Sequence, residues 1–171
     1  TEEVQRGKDA LAEHIAGLNA TIGKPYMPAS ASAVDFGLAI KGLRSLDSVR
    51  ATIDQKLADA KIAANAIAGV IMVNMRYLRE NAKDYASLFP DTATIVLKAS
   101  DDLQALVTSR ITAHQQAEQK RLEAERERIR AEEAAKLQRE QELADLNAVL
   151  AMPAGRKRSE EHTSELQSRS A

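Results

Sequence analysis

The chain has 171 residues, which is enough for about one ordinary domain. Hydrophobic residues make up 44% of it, but aromatic residues only 3% and tryptophan is absent, so any core must be mainly aliphatic. The net charge of −1 argues against a polyanion-binding surface over the whole chain, and the lack of cysteine excludes disulfides and thiolate chemistry.

The N-terminal part predicts two helices with a break between them. Apolar residues recur at helical spacing over residues 4–18 and predict a first helix. The Gly-, Pro- and Ser-containing stretch 23–33 predicts a connector. Ser32 is expected to cap a short second helix, with Asp35 as its capping-box partner and Gly42 at its end.

A long third helix is predicted from Ser45, its expected cap, to about Glu80. One face of this helix is apolar along its whole length. Its uncharged run 62–75 has 14 residues, fewer than the roughly 18 that a membrane span needs, so it is interpreted as a buried helix. Gly69 is expected to mark either the close approach of a second helix or a slight bend.

The segment 83–99 has no clear periodicity. Its string "TIVL" contains the branched residues that are typical of strands, but four residues without a partner strand are poor evidence for a sheet. The sequence therefore predicts a turn at Pro90 and Asp91, followed by a short helix.

The rest of the chain predicts one long helix that Ser100 caps and Pro153 helps to end. An apolar stripe at its start thins beyond His114, where charged residues and alanine dominate. Opposite charges lie three or four positions apart, as in Glu118 and Arg121, and such pairs stabilise a solvated helix.

The predicted fold class is all-α. Residues 1–99 are expected to form a small helical hairpin or bundle, 100–150 a long charged helix that is either a coiled coil or a single-helix arm, and 151–171 a disordered tail. Residues 158–168 resemble a reading-frame translation of a short-read sequencing adapter, so 158–171 are expected to be non-native. Because the chain also begins with Thr, it is expected to be a fragment.

The side chains form no recognisable catalytic constellation. His14 and His114 are isolated and are interpreted as packing residues. Asp91 followed by Glu118 and Lys120 imitates the PD…ExK pattern of metal-dependent nucleases, but the last two lie on a helical run and point to different faces. The sequence therefore predicts no catalytic residue, no cofactor, no metal site and no enzymatic activity of the chain itself.

Two apolar stripes on the long helix are candidate contacts with a protein partner, because an exposed apolar edge favours association. They comprise Leu103, Leu106, Val107 and Ile111, and then Leu143, Leu146 and Leu150. A second hypothesis assigns DNA contact to basic residues outside that helix. These are Lys41, Arg44, Arg50, Arg76 and Arg79. Basic and acidic residues are intermixed over 110–139, which is typical of a solvated face.

Five strings in order over residues 7–135 carry a resemblance to a known family. They are "ALAEHIAGLNATIGKPYMP", "DFGLAIKGLRSLDSVR", "LADAKIAANAIA", "LFPDTATIVLKASDDLQALVTSRI" and "RLEAERERIRAEEAAK". Together they resemble the helical region downstream of the nuclease domain in phage and prophage YqaJ-type viral recombinases. The resemblance implies a lambda-exonuclease-like parent that resects duplex DNA with Mg²⁺ and hands single strands to an annealing protein. No catalytic residue carries over, because this chain lacks that domain's acidic-strand motif.

The leading hypothesis is a non-catalytic helical fragment of a phage recombination exonuclease, which acts as a spacer, a self-association element or a partner-docking element. The alternatives are a DNA-contacting accessory segment and a stand-alone structural coiled-coil protein. The expected partner is a second copy or the phage annealing protein, with DNA less favoured and no membrane. The expected location is the cytoplasm of a bacterial host, with which the lack of cysteine agrees.

Overall fold

The computed structural model describes residues 1–153. Over this range the fold is all-α, as the sequence predicts, and contains no strand. Residues Thr1–Gln116 form one compact unit, and the chain from Ala117 forms a second. Most of the predicted disordered tail, including its expected non-native part at 158–171, lies outside the described residues.

The helices are α1 (Glu2–Ile22), α2 (Phe36–Ala39), α3 (Leu46–Asn81), α4 (Thr92–Ile95) and α5 (Ser100–Leu150). Two 3₁₀ helices, Ala29–Ser32 and Lys83–Leu88, lie in the connections. The predicted short helix after the turn at Pro90 is therefore confirmed as α4. The two long helices also begin and end within a few residues of their predicted positions.

The helix ends correct several of the predicted caps. Ser45 stands at the N-cap position of α3, but its side chain forms no capping hydrogen bond. Gly42 does not end α2, which already ends at Ala39. α1 ends at Gly23, whose φ of 79° gives the left-handed conformation that glycine adopts without strain. Asp35, and not Ser32, is the N-cap of α2, because its carboxylate accepts a hydrogen bond from the backbone N–H of Leu38 at 2.9 Å. The Ser32 hydroxyl instead donates to the carbonyl of Ala29 at 2.8 Å.

Helices α1 and α3 lie side by side and run parallel. Three side-chain hydrogen bonds mark their register: Arg50 to Glu3, Arg6 to Asp54, and His14 with Asn65. Because the residue numbers rise together along both helices, the connection 23–45 must return along the length of α1. The arrangement is thus a bundle with a crossover connection, and α1 and α3 do not form a hairpin.

The core of the compact unit consists of three apolar clusters. The first joins α1, α2 and the N-terminal part of α3 around Leu11, Phe36, Ile53 and Ala60. The second lies against the middle of α3 and contains Ile22, Met27, Ala64, Ala68, Ile71 and Val96. The third joins the segment after α3 to the start of α5 through Ala82, Phe89, Ile95, Leu103 and Val107. Aliphatic side chains dominate all three, as the composition predicts.

Close helix approach occurs at Gly7 and not at the predicted Gly69. A Cβ at Gly7 would lie 3.0 Å from Cγ2 of Ile53 and 3.3 Å from the ring of Phe36. A Cβ at Gly69 would meet nothing within 4 Å, so no helix approaches α3 closely there in the described part of the chain. Gly7 is therefore the position at which the lack of a side chain allows α1 to pack against α2 and α3.

The first turns of α5 belong to the compact unit. Leu103 and Val107 are buried in the third cluster, and the unit extends to Gln116. The sequence placed this division at residues 99 and 100, where the long helix begins. The two boundaries differ because α5 is one continuous helix. Its first turns pack an apolar stripe against the compact unit, and its remaining turns are charged and exposed.

Candidate functional site

The first predicted contact stripe on α5 is part of the chain's own core. Leu103 and Val107 are 0% and 1% exposed, and Leu106 and Ile111 are half-buried against the same cluster. The segment between α3 and α5 covers them, notably with Phe89. This corrects the expectation that these four side chains form an exposed surface in need of a partner.

The second predicted contact stripe is exposed. Leu143, Leu146 and Leu150 are 59%, 56% and 75% exposed. Their spacing of three and four positions places them on one face of α5, next to the equally exposed Val149. No side chain in residues 1–153 covers this stripe, so it remains the candidate contact surface of the second unit.

The basic residues proposed to contact DNA do not form one patch. Arg50 is held by Glu3 at 2.7 Å, and Arg44 and Arg50 line a mixed-charge cavity of about 400 Å³ that Glu2 and Glu3 also line. Lys41 and Arg44 are exposed just before α3, whereas Arg76 and Arg79 are exposed in its last turns. Since Arg50 and Arg76 lie 26 positions apart on α3, about 39 Å separates the two groups.

Asp91, the residue in the nuclease-like pattern, forms a bidentate ion pair with Arg110. Nη1 and Nη2 of Arg110 donate to Oδ1 and Oδ2 at 2.6 and 2.8 Å. Arg110 also donates to the carbonyl of Leu88 at 3.1 Å, and its guanidinium lies 5.5 Å from the ring centroid of Phe89. The hydrogen bond from Arg110 lowers the pKa of Asp91. Asp91 therefore fastens the segment before α4 to α5.

We expect Asp91→Asn to lower the urea midpoint of the full chain at pH 7, because asparagine cannot form the charged bidentate pair. The folded pKa of Asp91 is depressed, so the pair stabilises the fold above the unfolded pKa and loses this effect as pH falls through the folded pKa. The midpoints of the two proteins should therefore converge below about pH 4. Exposed Asp84→Asn is the control, and a difference that does not shrink as the pH falls below the unfolded pKa of aspartate would contradict this role.

The histidines and the remaining acidic residue of the nuclease-like pattern also contact neighbouring side chains. His14 Nε2 lies 2.8 Å from Oδ1 of Asn65, and His114 meets the ring of Tyr85 edge-on. Glu118 pairs with Arg121 on its own helix. Across residues 1–153, no group of three or more His, Cys, Asp or Glu side chains is placed to hold a metal ion.

Asn74 is a buried polar residue that the sequence analysis missed. It is 1% exposed, and its Nδ2 donates to the carbonyls of Val96 and Lys98 at 2.9 and 2.8 Å. These bonds tie α3 to the residues between α4 and α5. The available signal was its place one turn after Ile71, on the core-facing side of an otherwise apolar run.

The uncharged run of α3 is buried on one face only. Ile62 and Val73 are 68% and 54% exposed, and Val70 and Met72 are also exposed. α3 is the single helix in the described part of the chain that is long and apolar enough to cross a membrane, and 22% of its most apolar window is buried. The interpretation of this run as a buried helix is thus correct for the face toward α1 and wrong for the opposite face.

Comparison with known proteins identified no relative of this chain. No protein-family model matches the chain, and no match was found among curated proteins or among solved structures. Its function is therefore inferred from the exposed side chains and from the string resemblance to recombinases.

Proposed function

We propose that this chain is a non-catalytic helical fragment of a phage recombination exonuclease, in which α5 acts as a spacer that ends in a docking stripe. The exposed apolar stripe Leu143, Leu146 and Leu150 carries this proposal. The string resemblance to YqaJ-type recombinases supports the phage context. The partner that we propose for this stripe is a second copy of the chain, and the alternative protein partner is the phage annealing protein.

The charged middle of α5 supports the spacer role. Beyond Glu118 every described side chain of this helix is exposed, so packing cannot stabilise it. Ion pairs along the helix, such as Arg128 with Glu125 and Glu132, stabilise it instead. A helix that is polar all round is typical of a bridge between two contact surfaces.

The apolar residues of α5 distinguish its end from its middle. Leu122 and Ile129 are exposed but stand seven positions apart, with charged residues between them. Leu143, Leu146 and Leu150 instead lie three and four positions apart, which gives a continuous apolar edge. Such an edge can pack against the apolar edge of a second helix, as in a coiled coil.

The triple variant Leu143→Gln, Leu146→Gln and Leu150→Gln tests this proposal. We expect it to weaken self-association of the full chain by at least about tenfold, because three apolar side chains leave the contact. Light scattering and analytical ultracentrifugation over a concentration series provide the measurement. Glutamine retains helix propensity, so the far-ultraviolet circular dichroism of α5 should be unchanged.

The matched control is Leu122→Gln, Ile129→Gln and Leu137→Gln, which changes three exposed apolar residues in the middle of the same helix. It should leave the association constant within about twofold of wild type. Equal weakening by both triple variants would contradict a docking stripe at the end of α5. A chain that stays monomeric at high concentration would exclude a second copy as its partner.

A further inference from the structure

The exposed face of α3 has the spacing of a coiled-coil seam. Its central positions alternate in steps of four and three residues and form what we call the outer stripe: Ile62, Ala66, Gly69 and Val73. Val70 and Met72 flank it and are exposed as well. The buried side chains of α3, such as Ala64 and Ile71, lie on the opposite face toward α1. In residues 1–153, nothing covers the outer stripe.

The same heptad spacing continues into charged residues at both ends of the outer stripe. Asp59 precedes Ile62 by three positions, and Arg76 follows Val73 by three. Both charged side chains are exposed, and neither forms an ion pair within the described residues. Asp59 accepts only a hydrogen bond from Gln55, at 2.9 Å. The face thus has Asp59 at one end, an apolar middle, and Arg76 at the other end, one turn before Glu80.

We propose that α3 pairs antiparallel with α3 of a second copy through the outer stripe. With the two-fold axis between Ala66 and Gly69, Ala66 lies against the partner's Gly69 and Ile62 against the partner's Val73. Asp59 then lies against the partner's Arg76, and symmetry repeats this ion pair at the other end. The small central residues let the two helix axes approach to about 8 Å.

The charges favour the antiparallel orientation over the parallel one. They also favour a second copy of the chain over lipid as the partner of this face. A parallel pair would place Asp59 against the partner's Asp59 and Arg76 against the partner's Arg76, which is repulsive at both ends. The 16 residues between Asp59 and Arg76 form a stripe that has a charged residue of opposite sign at each end. A second copy offers an apolar stripe of matching length and opposite charges at matching positions. This contact is separate from the docking stripe on α5.

A charge swap tests the pairing. The full chain is used with Leu143→Gln, Leu146→Gln and Leu150→Gln already present, so that association through α5 does not contribute. We expect Asp59→Arg or Arg76→Asp alone to raise the dimer Kd about tenfold, because two attractive contacts become repulsive. The double variant Asp59→Arg/Arg76→Asp should restore the Kd to within about threefold. Sedimentation velocity gives the constants.

If the double variant restores the Kd, the restored ion pair must lie between two chains. Asp59 and Arg76 lie 17 positions apart on one continuous helix, about 25 Å, so they cannot meet within one copy. Both side chains are exposed, so the variants should keep the circular dichroism of the parent, and its urea midpoint at concentrations well below the Kd. Lys56→Glu, an exposed charge change away from the outer stripe, is the matched control and should leave the Kd unchanged.

Cysteine cross-linking tests the orientation, because these 171 residues contain no cysteine. In the antiparallel pair, Gln55 lies against the partner's Glu80. Mixed Gln55→Cys and Glu80→Cys chains should form a disulfide-linked heterodimer on oxidation, and neither variant alone should cross-link. Cross-linked homodimers of each variant would show a parallel pair and overturn the proposal.

Three further outcomes would overturn the pairing. The first is a parent that stays monomeric at high concentration, and the second is a dimer whose Kd is the same with either charge reversal. The third is co-sedimentation with phosphatidylcholine vesicles that Val73→Glu abolishes. The last outcome would make lipid the occupant of this face. The α5 triple variant fails or succeeds independently, so loss of the docking-stripe proposal and loss of this one are distinguishable.

Discussion

Replacing Phe36 with alanine is expected to lower the free energy of unfolding of the compact unit by about 3–5 kcal/mol. Phe36 is fully buried in the cluster that joins α1, α2 and α3. Gly7 and Ile53 pack against its ring. Collapse of the resulting cavity would require the α1 backbone to move, although α1 also has its own contacts with α3. The cavity is therefore expected to persist and to account for much of the loss.

The measurement is urea unfolding of the full chain followed by tyrosine fluorescence. The three tyrosines, Tyr26, Tyr77 and Tyr85, all belong to the compact unit, whereas circular dichroism also reports the exposed part of α5. Leu38→Ala is the control, because Leu38 lies two positions further along α2 and is 67% exposed. It should cost no more than about 0.5 kcal/mol. Equal losses in the two variants would show that Phe36 is not a central core residue.

Replacing Asn74 with aspartate is expected to destabilise the compact unit by about 3–5 kcal/mol at pH 7. The change removes the Nδ2 donor from the carbonyls of Val96 and Lys98 and directs a buried carboxylate at both of them. A protonated carboxyl group could donate one of the two lost bonds. The loss should therefore become smaller as the pH falls toward about 4.

Asn81→Asp is the matched control for the change at Asn74. Asn81 also donates its Nδ2 to a carbonyl, that of Tyr77 at 3.0 Å, but it is exposed at the end of α3. Water can replace this bond, so the cost should stay within about 0.5 kcal/mol. Urea midpoints of both variants at pH 4 and pH 7 provide the comparison. A pH-independent loss at position 74 would contradict a buried carboxylate there.

Sequence periodicity was sufficient to predict where the helices lie in the chain, but not which residues pack against them. The start of α5 at Ser100 and its end near Leu150 follow from local signals, namely acidic residues in the first turn and Pro153 after the last. The burial of Leu103 does not follow from α5, because the residues that cover it lie in the irregular segment 83–97. An apolar stripe looks the same in sequence whether its own chain or a partner covers it.

The two faces of α3 also show that the sequence does not reveal which apolar surfaces are covered. Apart from Asn65 and Asn74, its run 62–75 is apolar around the whole helix, which usually indicates burial on all sides. In the described residues α1 covers one face, and the face with Ile62 and Val73 stays exposed. Sequence analysis could predict the exposed stripe at the end of α5, because charged residues surround it. The position of Asn74 one turn after Ile71 indicated its burial, but the sequence could not identify its partners, because they are backbone carbonyls of the irregular segment before α5.

The parallel packing of α1 and α3 has a consequence for biosynthesis. The three side-chain hydrogen bonds between these helices join residues 47 to 51 positions apart, so α1 leaves the ribosome well before its binding face on α3 exists. At about 5–20 residues per second, the nascent helix waits roughly 3–10 seconds with Leu11 and Ile22 exposed to solvent. During this interval, the same apolar face that later stabilises the bundle is available to chaperones that hold unfolded chains.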